Sequence, residues 1–101
     1  MNRLYPRGQR RKTVVPIEFD MIVLKEEKAF VAYSPGLDVS SCGDTVEEAK
    51  ANLKTAVRLF VEEAEKMGTL EDILTEAGYR KNAAHKWTAP RMVAAECVGI
   101  S

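Results

Sequence analysis

The stretch that decides the fold is AFVAYSPGLDVSSCGDTVEEAKA, residues 29–51. Ala29–Ser34 alternates as a strand does, and Pro35-Gly36 marks a turn, with proline pre-setting φ and glycine admitting φ > 0. Leu37–Ser41 fits a short third strand or an extended connector, and Cys42-Gly43-Asp44 leads into a helix. Thr45 and Glu48 form a T-x-x-E capping box, which satisfies two otherwise orphaned backbone donors. Asp44, Glu47 and Glu48 place negative charge where the helix dipole is positive.

Beyond the cap, Val46, Ala49, Leu53, Ala56, Val57, Phe60, Ala64 and Met67 recur at three- and four-residue spacing, predicting one apolar stripe. Glu47, Lys50, Lys54, Arg58, Glu62 and Glu65 cover the outside, and Gly68 is the natural stop. Thr69 is expected to cap a second, shorter helix carrying Leu70, Ile73, Leu74 and Ala77, with Gly78 ending it. Residues 79–91 are polar and broken by Pro90, as a connector would be. Met92–Ile100 returns to strand character, with Val93, Ala95 and Cys97 on one side and Ala94, Val98 and Ile100 on the other.

In the other direction the period is two. Val15, Ile17, Phe19, Met21 and Val23 share one face of a predicted strand from Thr13 to Leu24. Pro16 cannot donate to a ladder, which puts the start of that strand at an edge. Lys25–Lys28 is a charged break, and pairing Leu24 with Ala29 makes a hairpin. Phe30 and Ala32 then join Val23, Met21 and Phe19, while Val31 and Tyr33 lie beside Ile22 and Asp20 on the opposite face, which is apolar near the hairpin tip and acidic further along. Strands followed by helices predict an α+β layer, an antiparallel sheet with one long and one short helix on one face. No helix is left to cover Ile22, Leu24, Val31 and Tyr33, so these four are the candidate contact residues for an oligomer or a partner.

At 101 residues, 46% hydrophobic and 30% charged, the chain is sized for one domain with a small core, assigned here to residues 13–101. The zero net charge hides a clustering of Arg3, Arg7, Arg10, Arg11 and Lys12 in residues 1–12, which read as a flexible basic arm. Arg7, Arg10, Arg11 and Lys12 are the candidate nucleic-acid contacts, because clustered cations are what phosphates need. No apolar run approaches the roughly 20 residues of a membrane span, and the basic start has no apolar signal core after it. Two cysteines outside any C-x-x-C pair point to a reduced, cytoplasmic protein.

Catalytic readings are weaker than structural ones. His85 is the only histidine and has no acid beside it in sequence to orient it. Cys42 precedes a helix N-terminus, which favours a thiolate, but Asp44, Glu47 and Glu48 oppose one, so a small apolar residue in a tight turn fits better. The glycines lack phosphate-loop spacing. Asp20, Asp38 and Asp44 are scattered over a strand and turns rather than gathered as metal ligands. No catalytic residue, metal or cofactor is assigned.

Phe30–Leu37, then Ser41–Thr45, then Glu48-Ala49 together resemble the HicB-like antitoxin family of prokaryotes, over a span from Ala29 to Tyr79. Trp87 and Pro90, followed by a terminal strand, are also similar to its single-domain members. The resemblance implies a partial ribonuclease H-like fold without nuclease activity. It also implies a partner, a small HicA-type toxin that cleaves RNA and is neutralised by binding. Many relatives add a C-terminal DNA-binding module; ending at Ser101, this chain is expected to lack one. The alternative expectation is a solitary homo-oligomer, dimer or tetramer, that binds nucleic acid through its basic arm. That alternative predicts salt-sensitive binding of RNA or DNA by the intact chain, abolished by deleting residues 1–12. An intact chain with no detectable binding removes it.

Overall fold

The computed structural model describes residues 15–101. Its spine is helix α1, Val46–Met67. The cap forms as the sequence predicts: the Glu48 amide donates to Thr45 Oγ1 at 3.0 Å. The returning Glu48 carboxylate accepts from the amide of Asp44, one residue ahead of the cap itself, at 2.6 Å. At the far end Gly68 adopts φ 74, and its amide reaches the carbonyls of Ala64 and Glu65. That left-handed geometry is costly for any residue with a Cβ.

The buried line of α1 is Ala49, Leu53, Val57, Val61 and Ala64. Phe60 is half-buried, while Val46 and Met67, expected on the stripe, are exposed. Length accounts for this: 22 residues of helix run about 33 Å, whereas a five-residue strand runs only about 17 Å. The ends of the helix overrun the sheet.

That sheet has three antiparallel strands in the order β1 (Ile22–Lys25), β2 (Phe30–Ser34), β3 (Val39–Gly43). Leu24 pairs with Val31, not with Ala29. The hairpin is tighter than its charged sequence suggests, because Glu26 and Ala29 exchange backbone hydrogen bonds at 2.8 and 3.3 Å and leave Glu27-Lys28 as a two-residue tip. The resulting offset is an even number of residues, so every side chain keeps its predicted face. On the helix side Ala32 and Ser34 are fully buried, with Val23, Phe30, Val39 and Ser41 partly so. Lys25 Nζ sits 4.7 Å from the centre of the Phe30 ring and closes that end of the layer.

Helix α2, Leu70–Glu76, packs against α1 through buried Leu70 and Leu74. Thr69 does not cap it; the hydroxyl turns back to the Ala64 carbonyl at 3.4 Å, binding the two helices together instead. Gly78, at φ 89, follows the helix end. The described residues form one α+β core with an antiparallel sheet and two helices.

Three segments depart from expectation. Of the strand predicted from Thr13 to Leu24, Thr13 and Val14 lie outside the described residues and the rest is regular only from Ile22; ahead of it Val15, Ile17, Phe19 and Met21 pack on the core with a single bridge at Ile17 in place of a ladder. Residues 79–91 are more than a connector. Tyr79 and Trp87 are buried, and β4 (Arg80–Lys81) pairs with β5 (Trp87–Thr88). Asn82 builds the turn between them, its side chain accepting from the amides of Ala84 and Lys86. Trp87 also makes a parallel bridge with Ile17, through Trp87 N to Pro16 O at 3.0 Å and Glu18 N to Trp87 O at 2.9 Å. Finally, Met92–Ile100 is not a strand here. Every residue in it is exposed.

Where β3 meets α1, Gly43 lies so close that a Cβ there would stand 2.6 Å from the Ala49 amide nitrogen and 2.9 Å from Glu48. The neighbours are backbone and cannot yield cheaply. Gly43→Ala is expected to lower stability by about 1–3 kcal/mol in urea titration, the usual cost of overpacking. An unchanged midpoint would show that the junction relaxes freely.

Candidate functional site

The opposite side of the sheet carries two rows of side chains. Ile22, Tyr33 and Ser40 form one row across the strands, and Leu24, Val31 and Cys42 form the other. The four residues singled out from sequence are therefore brought together. Ile22, Val31 and Tyr33 are half-buried by one another, and Leu24 is 50% exposed. Helix α1 lies against the other face, through Ala32, Ser34 and Gly43. Ser40 and Cys42 were missed as members of the patch. Their signal was available in the alternation of Val39 and Ser41 against Ser40 and Cys42, once β3 is read as a strand.

Tyr33 gives the patch its one fixed polar point. Its hydroxyl donates to Asp38 Oδ1 at 3.0 Å, tying the middle of the sheet to the β2–β3 turn. That hydrogen bond first, then partial desolvation and the Asp38 charge, raise the phenol above its ordinary value of 10.0. The turn is organised differently from the sequence expectation. Positive φ falls on Asp38, at 57°, rather than on Gly36, and the Asp38 amide donates to the Ser34 carbonyl at 2.8 Å. Gly36 serves close approach instead: a Cβ there would stand 3.1 Å from the Tyr79 ring.

Beneath the turn, on the core side, Tyr79 and Ser34 bury their hydroxyls without a hydrogen-bond partner among the described residues. Burial raises the Tyr79 phenol; the Asp20 carboxylate adds to the rise, and the neighbouring Ser34 hydroxyl pulls the other way without reaching hydrogen-bond geometry.

The remaining chemical candidates are placed apart from this patch or inside its structure. Cys42 is exposed on β3 rather than tucked into a tight turn, and its carbonyl accepts from Asn52 Nδ2 at 2.8 Å. His85 is exposed at the tip of the β4–β5 turn with φ 63, its amide donating to the Asn82 carbonyl at 2.9 Å. Among the described residues no three His, Cys, Asp or Glu side chains gather closely enough to hold a metal ion. Two exposed ion pairs, Lys86–Glu18 at 2.7 Å and Lys81–Glu71 at 3.3 Å, pin the β4–β5 hairpin, each contributing about 0–1 kcal/mol. Arg7, Arg10, Arg11 and Lys12 lie outside the described residues. No described helix is long and apolar enough to cross a membrane. Compared with protein-family models, curated proteins and solved structures, the chain gives no match.

The two tyrosines set an alkaline limit. A phenol whose pKa is higher in the folded chain than in the unfolded one is protonated in the fold where the unfolded chain has already ionised, so its contribution is intact below about pH 10 and lost as pH rises further. Stability by denaturant titration is expected to fall above about pH 10, less steeply in Tyr79→Phe and Tyr33→Phe. Identical pH profiles in the variants would contradict this assignment.

Proposed function

We propose that this chain is a non-catalytic, HicB-like antitoxin domain that binds and neutralises a small HicA-type RNA-cleaving toxin, with the outer sheet face as its contact surface. The observation that carries the reading is that face itself. Ile22, Leu24, Val31 and Tyr33 form a compact apolar and aromatic patch on a rigid sheet, of the composition that centres protein–protein contacts. An apolar sheet face suits a folded protein partner, whereas a small substrate calls for a concave pocket.

Topology supports the same reading. Three antiparallel strands, a long helix, and then a segment returning parallel beside the first extended stretch, at Ile17 and Trp87, is the order expected of a partial ribonuclease H-like fold. In the proposal the family motif residues are fold determinants. Gly43 seats the helix, Thr45 and Glu48 cap it, and Gly36 admits the Tyr79 ring. Two free, exposed thiols, Cys42 and Cys97, fit a reducing cytoplasm. The same face would serve self-association when no toxin is bound, since one apolar patch can bury itself isologously about a two-fold axis.

Co-expression with a HicA-type toxin encoded beside this chain tests the role. Protection of the cells and co-purification of the pair are expected; a toxin that still kills defeats the antitoxin reading. Ile22→Lys and Val31→Lys are expected to weaken the complex more than tenfold, about 1.4 kcal/mol, while changing fold stability by less than about 1 kcal/mol. Unfolding of either variant would assign those residues to the core rather than to a contact.

A further inference from the structure

We infer that Met92–Ile100 is an exchanged strand, lying in a groove along Glu18–Met21 of a second copy of this chain, while the second copy's segment fills the first. The starting point is an interrupted ladder. Ile17 and Trp87 form a single parallel bridge, and the next step would join Glu18 and Asp20 to Ala89. Those bonds are not made. Pro90 packs by Gly78, its Cγ 3.2 Å from where a Cβ on that glycine would lie. The two segments therefore diverge, and a groove of about 610 Å³ opens between Ile17–Met21 and Ala89–Met92, with Lys54 of α1 beside it.

One wall of this groove is an unused edge. Among the described residues, Phe19, Asp20 and Met21 make no backbone–backbone hydrogen bond, although all three are half-buried. An open edge of extended backbone is a template for another strand.

The occupant is written in the same chain. Met92–Ile100 has the alternation of a strand, a single charge at Glu96, and no proline, yet it lies exposed along its whole length. Val93 is 86% exposed, Val98 69% and Ile100 91%. An apolar strand-forming segment without cover is a pairing element. Its own groove is closed to it by geometry. The far wall there is Ala89–Met92, the start of the segment itself, so filling that groove would require an immediate reversal of the chain. Residues 92–98 contain no Gly, Pro, Asn, Asp or Ser to make the turn. A second copy meets no such obstacle, and a two-fold axis fills both grooves at once. The groove is lined by two acids, Glu18 and Asp20, and two bases, Lys54 and Arg91, so its match to the segment is through backbone and apolar side chains rather than charge. This contact uses the sheet edge and is independent of the outer-face patch.

The test combines solution mass with directed disulfides in the full chain. Light scattering is expected to give at least twice the 11.2 kDa chain mass, and the double variant Val93→Asp with Val98→Asp is expected to have half the parent's mass with an unchanged circular dichroism spectrum. For the contact itself, a tagged chain with Cys42→Ser keeps Cys97, and an untagged chain with Cys42→Ser and Cys97→Ser receives Glu18→Cys, Asp20→Cys or Met21→Cys. Mixed and oxidised, at least one pair should give a tagged–untagged disulfide dimer, since only Cα atoms within about 7 Å can be bridged. Absence of that dimer for all three, a monomeric parent chain, or a tail variant that keeps the parent's mass would each overturn the inference. An intrachain disulfide in a monomer carrying both Cys97 and Asp20→Cys would show that the segment folds back on its own edge, which also overturns it.

Discussion

The close approach of Gly43 to the first turn of α1 governs the rest of the structure. Because no side chain intervenes, the end of β3 sits directly on the amide of Ala49 and the backbone of Glu48. The Thr45 cap then fixes the direction in which the helix leaves. Together they lay the line from Ala49 to Ala64 across β2 and β3, and burial of Leu53, Val57 and Val61 follows from that angle. Each of these aliphatic side chains contributes on the order of 1.5–3 kcal/mol when fully buried, so the junction directs most of the hydrophobic stabilisation of a small core.

Consuming one sheet face so completely leaves the other for contact. The outer patch is not an accident of composition, since Tyr33 is held in place by Asp38 and the patch lies back to back with the buried Ala32 and Ser34. Rigidity matters for a binding surface because side chains already ordered lose less entropy on association. The sheet edge along Glu18–Met21 is a second, chemically distinct opportunity. There the unmet groups are backbone amides and carbonyls, which call for another strand rather than for an apolar surface.

Tyr79 and Trp87 show how the second half of the chain is secured. Both lie in a stretch rich in polar residues, where windowed composition points to a connector. Both are buried because distant residues make room for them: Gly36 under the Tyr79 ring, and Pro16–Glu18 alongside Trp87. The turn chemistry of Asn82 and His85 folds the intervening polar residues into a hairpin that delivers Trp87 to that place.

Local physics explains what could be known beforehand. The cap at Thr45, the stop at Gly68, the period-two faces and the apolar line of α1 depend on residues within a few positions of one another, so the sequence by itself determined them. Face assignment even survived an incorrect hairpin register, because alternation repeats every two residues and the offset was even. Tertiary structure alone decided what depends on partners far along the chain. Only there do residues 15–21 lose the ladder that begins at Ile22, Thr69 turn from capping to bridging, and Tyr79 and Trp87 enter the core. The same holds for Met92–Ile100, a strand by alternation that lies unpaired, since a strand exists only where a neighbouring backbone accepts its hydrogen bonds.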